Sequence, residues 1–160
     1  MSVTLTPMTA SDFGSFRQLS LQTYAEELLR DAAYASMEEA RKEAEEELCE
    51  LLPQGLATPR HFLMRITNEE NASVGYLWYD TTGMSKAFID DIYIEPPHRR
   101  CGYALSALTE LEKLLSLPHI ALHVFEGNAA ARKLYEKAGY AYLKMEKAQK
   151  GSLYMFKRIR

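Results

Sequence analysis

Cysteine is scarce in this 160-residue chain: only Cys49 and Cys101 occur, far apart. That is too few for a disulfide framework or a Cys-rich zinc site, so a reducing, cytoplasmic setting is the default expectation. No stretch approaches the roughly 18 uncharged apolar residues of a membrane span, so no membrane association is expected. The start, Met1-Ser2-Val3-Thr4, lacks the basic and apolar regions of a secretory signal. The four His are scattered, with no His-Glu-x-x-His and no pair at ligand spacing, so no metal site is expected. Basic charge is not in excess either. The net charge is −3, which disfavours nucleic acid as a partner. Repeats, low-complexity tracts and interdomain linkers are missing too.

What is present is the composition of an ordinary globular domain, 47% hydrophobic and 26% charged. Ten Tyr, six Phe and one Trp exclude disorder of the whole chain. The length predicts one domain over 1–160, able to bury roughly two-thirds of its unfolded surface. Charge is unevenly spread: residues 26–50 hold ten acids and three bases, and residues 131–160 hold nine bases and two acids. The simplest reading of each block is a solvated face. The functional alternatives are an acidic approach for a cationic substrate and a basic wall for an anionic cofactor.

Val3 to Met8 alternates weakly and predicts a first strand. Ser11-Asp12 offers an N-cap, and Phe13, Phe16, Ser20, Tyr24 and Leu28 fall at helical spacing, predicting a helix over 11–32. Ser36 with Glu39 has the capping-box signature and opens a second helix to Leu52, before Pro53 and Gly55. Strands follow over His61–Thr67, Ser73–Tyr79 and Lys86–Ile94, the last ended by Pro96-Pro97. A helix is predicted from Arg100 to Leu117, a strand over His119–Phe125, and a helix over Ala129–Ala138 closed by Gly139. Two last strands fall near 140–146 and 152–158. This order predicts an α/β (α+β) domain with a mixed sheet.

Two segments carry chemistry. In Asp91-Ile92-Tyr93-Ile94-Glu95-Pro96-Pro97-His98-Arg99-Arg100-Cys101-Gly102-Tyr103-Ala104 a strand runs through a short loop into a helix. Free N–H groups and the positive dipole end at such a helix start suit phosphate, and Gly102 and Ala104 allow close backbone approach. The phosphate-loop pattern of nucleotide folds is not there. In the second segment, Asn128-Ala129-Ala130-Ala131-Arg132-Lys133-Leu134-Tyr135-Glu136-Lys137-Ala138-Gly139-Tyr140, Asn opens a small-residue helix that ends in Gly-aromatic. In that order, about 24 residues apart, they resemble the GCN5-related N-acetyltransferase (GNAT) superfamily. Arg99-Arg100-Cys101-Gly102-Tyr103-Ala104 matches its Arg/Gln-x-x-Gly-x-Gly/Ala signature, with Ala104 where Gly is commoner.

The resemblance implies a twisted, mostly antiparallel sheet of about seven strands with four helices, splayed between strands 4 and 5. It implies acetyl-CoA in that opening, as co-substrate for transfer of acetyl to a primary amine, small or peptidic, by direct attack in a ternary complex. The backbone of Ile92, Tyr93 and Ile94 would bond the pantetheine arm as an added strand. N–H groups of Arg100, Cys101, Gly102, Tyr103, Ala104 and Leu105 would cradle the pyrophosphate, helped by the Arg99 and Arg100 side chains. Asn128 would touch the pantetheine or cap its helix, and Lys133 or Arg132 would reach the adenosine end. Tyr135 falls where the family places its general acid, and a phenol near pKa 10 is close enough to a thiol near 8.5 to protonate it. Asp90, Asp91 and Glu95 are candidate bases, with His98 and His123 behind them. Strand alternation predicts that Asp90 and Asp91 face opposite sides, with Asp91 preferred. Tyr24, Glu27, Trp78 and Tyr79 are candidate acceptor-pocket residues. The family also contains homodimers.

Other readings stay open at this point. Cys101 at a helix start would have a lowered thiol pKa, but no relay is placed beside it. A catalytically silent CoA-binding module and an interaction domain built on the acidic helix are the alternatives to an enzyme.

Overall fold

The computed structural model describes residues 2–32, 34–144 and 151–160. In chain order the elements are β1 (Thr4–Pro7), α1 (Ala10–Asp31), α2 (Met37–Leu51), β2 (His61–Thr67), β3 (Ser73–Asp80) and β4 (Lys86–Ile94). Then come α3 (Tyr103–Leu114), β5 (His119–Phe125), α4 (Ala129–Lys137), β6 (Ala141–Leu143) and β7 (Ser152–Arg158). The seven strands form one sheet in the order β1-β2-β3-β4-β5-β7-β6. Every neighbouring pair is antiparallel except β4–β5. A parallel pair needs a crossover, and α3 provides it. The predicted α/β fold with its mixed seven-stranded sheet and four helices is the observed one. The end of the predicted strand 140–146 falls on residues 145 and 146, outside the described residues.

Side-chain alternation along β3 splits the core. Tyr76 and Trp78 pack with Phe16 of α1, Leu48 of α2 and Leu63 of β2. Leu77 and Tyr79 point the other way, into a cluster with Leu108 and Leu111 of α3, Ile89, Leu122, Met155 and Tyr135. Ala25, Ala40 and Ala44 are buried between α1 and α2, where small side chains let the two helices approach. Among the described residues, no helix is long and apolar enough to cross a membrane.

Four helix ends differ from expectation, three at their starts and one at its stop. Thr9, not Ser11-Asp12, caps α1: its Oγ1 accepts from Asp12 N at 3.1 Å, and Asp12 Oδ2 accepts from Thr9 N at 2.9 Å. Asp replaces the usual Glu of this reciprocal box. Ser36 Oγ accepts from Glu39 N at 3.2 Å, but the Glu39 carboxylate accepts from Ala35 N rather than from Ser36. The box at α2 is therefore half formed. Helix α3 starts at Tyr103 because Arg100 (φ 62°) and Gly102 (φ 82°) are left-handed, which no right-handed helix accommodates. It leaves helical geometry at Leu115 (φ −88°, ψ 138°), short of the predicted Leu117. The residue before Pro118 must be extended, so the helix ends upstream.

Candidate active site

The parallel pairing of β4 with β5 covers only Lys86–Ile89 against His119–Leu122. Beyond it β4 stays with β3 and β5 stays with β7, so the two strands part. A β-bulge sits at the parting point. Trp78 pairs with Asp91 and Tyr79 with Ile89, which leaves Asp90 as the extra residue. A bulge bends its strand and breaks strict alternation. Asp90 and Asp91 therefore both line the resulting cleft, which corrects the expectation that they face opposite sides. The cleft encloses about 510 Å³ between α1, α2, the split strands and α4. Tyr24, Glu27, Trp78, Ile92, His123, Asn128 and Tyr135 line it too.

The lining is strongly acidic. Glu27, Glu47, Asp90 and Asp91 all contribute, and among the described residues no Lys or Arg does. Asp91 Oδ2 accepts from Tyr76 Oη at 2.8 Å and Ser20 Oγ at 3.4 Å. Burial pushes this carboxyl up to about 6, with the two hydroxyls pulling it back. Glu27 is pushed up to about 7, by burial first and then by the charge of Asp91. Asp90 is pushed up to about 10 by burial and by its contact with the buried Asp80. Its Oδ2 is buried with no hydrogen-bond partner among the described groups. Tyr24 Oη donates to Glu47 Oε2 at 2.6 Å, and burial with this bond raises the phenol.

His61, Asp80 and Asp90 bring ligand atoms within 4.8 Å of one another. The set does not suit a cation. His61 Nδ1 accepts from Trp78 Nε1 at 2.9 Å, so the ring proton sits on Nε2 and no ring lone pair is left.

Tyr135 is buried except where it lines the cleft, with its ring set edge-on to Tyr140 at 5.8 Å. Burial, then Asp91 and Glu27, raise its phenol and keep it protonated. Asn128 lines the cleft and also caps α4, its Oδ1 accepting from Ala131 N at 3.2 Å.

The loop after β4 makes a second feature. The Arg99 guanidinium donates from Nε to the Ile94 carbonyl at 2.8 Å and lies over the Tyr93 ring. This holds the loop against the strand. Left-handed Arg100 and Gly102 flank Cys101, and Gly102, at the N-cap of α3, has no side chain with which to cap it. The N–H groups of Tyr103, Ala104 and Leu105 at the first turn of α3 have no helical partner. A Cβ built on Gly102 meets nothing within 4 Å, so open space faces this turn. Backbone N–H groups curved in this way form an anion cradle. Along the parted edge, residues 91–94 of β4 pair with β3 alone among the described strands, which leaves Ile92, Tyr93 and Ile94 open to an extended chain. Strand edge and helix turn together fit a long thiol arm ending in phosphates.

Other candidates lie elsewhere. Tyr79 stacks on Phe62 at 4.8 Å and packs in the α3-side core, away from the cleft. Glu95 borders a smaller hollow with Arg65 and Asp12. His98 packs on Tyr103 at 6.2 Å. Arg132 donates to Glu126 O and Tyr142 Oη, so it braces α4 against β6. Lys133 is exposed on α4. Cys101 Sγ donates to Arg99 O at 3.4 Å. Sequence reasoning missed Glu47, Tyr76, Ser20 and the Asp80–His61 pair. For Tyr76 a signal existed, since it lies two residues before Trp78 and shares its face.

The sequence model of the acetyltransferase (GNAT) family matches residues 22–140. Two Bacillus subtilis (strain 168) proteins called uncharacterized N-acetyltransferases are similar. YycN is 35% identical over 146 residues, covering 88% of this chain and 93% of its own length. YdgE is 31% identical over 147 residues, with coverage of 88% and 93%. The crystal structure of YycN superposes with a TM-score of 0.85 at 33% identity, covering 93% of this chain and 98% of that one. The spermidine N-acetyltransferase of Vibrio cholerae, solved with CoA and spermine, has a TM-score of 0.70 at 18% identity, covering 98% and 95%. That last likeness is one of fold.

Proposed function

The chain belongs to the GNAT acetyltransferase family, and from that premise we propose that it moves acetyl from acetyl-CoA to a primary amine on a positively charged acceptor. The acidic cleft carries the acceptor class: four carboxyl groups and no described Lys or Arg line it. Asp90 is neutral at pH 7, and the charge of the other cleft carboxylates attracts a cationic amine and repels an anionic one. The presence of CoA and spermine in a structure of the same fold agrees with this chemistry.

When bound, acetyl-CoA supplies the thioester carbonyl that the amine attacks. The residues that would hold it are the open edge of Ile92, Tyr93 and Ile94, the turn from Arg100 to Leu105, the Arg99 side chain and Asn128. The amine and the thioester are held together, and that pre-organisation removes much of the barrier. Asp91, fixed by Tyr76 and Ser20, holds the ammonium by its charge. Tyr135 donates its hydroxyl proton to the departing sulfur. Its phenol is raised by burial. The same desolvation raises a thiolate leaving into the cleft, which keeps the two in range for transfer.

Thermal unfolding with acetyl-CoA, free CoA and ATP tests the co-substrate. At a hundredfold over the dissociation constant, binding adds roughly 2.7 kcal/mol. For a chain of this size that is a rise on the order of 5–10 °C. A rise with acetyl-CoA and CoA but not ATP supports the reading, and no rise at saturating ligand overturns it.

A further inference from the structure

We infer that Glu27 of α1 is the base that takes the proton from the incoming ammonium, an assignment that rests on the transferase reading above. The acidic cleft offers four carboxyl groups, and the hydrogen bonds sort them. Asp90, pushed up to about 10 by burial and by Asp80, stays protonated at neutral pH and is no base there. Asp91 Oδ2 is occupied by Tyr76 and Ser20, whose hydroxyls stabilise its charged form. That makes it a fixed counter-charge. Glu47 Oε2 is held by the Tyr24 hydroxyl at 2.6 Å. Glu27 lines the cleft and accepts no hydrogen bond from a described group; of the other three only Asp90 shares that, and Asp90 is held protonated.

Its surroundings suit the task. Asp91 of β4 and Tyr135 of α4 line the same cleft and interact with it electrostatically. On its own helix Arg30 opposes the upward pull of Asp31 and Glu26. The balance leaves Glu27 near 7, where a general base is most effective at neutral pH. Because Asp91 and Glu27 interact, they titrate as a pair.

The proton inventory closes. An N–H bond of the ammonium breaks, and that proton goes to Glu27, which later releases it to solvent. The freed lone pair forms the N–C bond to the acetyl carbonyl, the C–S bond breaks, and sulfur takes the proton of Tyr135. The second proton lost by nitrogen refills Tyr135. Products are the amide, the free thiol of CoA and one proton.

The first arm of the test needs no co-substrate. Carbon-13 detection of the Glu27 carboxyl in the free protein should show titration near pH 7, moving to lower pH in Asp91→Asn. The second arm is kcat of wild type, Glu27→Gln and Glu27→Asp at saturating acetyl-CoA and amine across pH 5.5–9. Wild type should show an acidic limb near pH 7. Glu27→Gln should lose that limb and about a hundredfold in kcat at neutral pH. Glu27→Asp should recover part of both, with acetyl-CoA affinity by calorimetry unchanged in each. An acidic limb retained in Glu27→Gln, or a loss confined to the KM of the amine, overturns the assignment and leaves the transferase reading intact. Failure of wild type to turn over any amine overturns that reading, and the assignment with it.

Discussion

Replacing Asp90 by Asn should make the protein more stable at neutral pH, although Asp90 lines the cleft. The unfolded carboxyl titrates near 3.9. In the folded protein, burial and Asp80 move it to about 10. Between these values the native state holds a proton that the unfolded chain lacks. Stability from this group is complete below the unfolded pKa and is lost as pH rises toward the folded one. The slope is about 1.4 kcal/mol per pH unit for one proton. Asn keeps the shape and a donor toward Asp80 but binds no proton. From pH 5 to 7 wild type should therefore lose up to about 2.7 kcal/mol relative to Asp90→Asn. Relaxation around an ionised Asp90 would reduce the figure. Urea unfolding followed by the fluorescence of Trp78, the single tryptophan, reads this directly, since Trp78 is bonded to His61, which lies beside Asp90. Stability curves for the two proteins that run parallel from pH 5 to 9 would refute a proton held at Asp90.

Two further substitutions probe the machinery. Tyr135→Phe keeps the ring packed on Tyr140 but removes the hydroxyl. We expect kcat to fall at least a hundredfold, with acetyl-CoA affinity by calorimetry unchanged; an unchanged kcat removes Tyr135 from the proton path. Gly102→Ala places a Cβ at φ 82° with open space above it, so its cost is conformational, about 1 kcal/mol. The loop should relax away from that geometry and weaken acetyl-CoA binding several-fold, whereas unchanged affinity would show that the turn does not hold the phosphates.

Much of the fold was legible because local signals agreed. The runs His61–Thr67, Lys86–Ile94 and His119–Phe125 have the same bounds in sequence and structure. Each ends at turn residues or proline, which stop a ladder whatever the tertiary context. The bulge at Asp90 was not legible, because it is a mismatch of register between β3 and β4 and leaves no mark in either strand alone. For the same reason alternation gave the wrong faces for Asp90 and Asp91. The partners of Asp91 lie 71 and 15 residues away, at Ser20 and Tyr76, and only folding brings them together. Glu47 sits in a block of ten acids where nothing in the pattern marks one out. The late start of α3 followed from a left-handed Arg100, a conformation that residue type does not announce.

The cofactor-side features and the acidic cleft meet in a single claim, acetyl transfer to a cationic amine. Its most direct test is release of free CoA thiol from acetyl-CoA, followed across amines of matched size that carry an additional positive, neutral or negative group. The charge of the cleft predicts turnover with the cationic set, falling through the neutral set and lost with the anionic one. Preference for anionic amines, or no turnover with any amine while acetyl-CoA binds tightly, would contradict it.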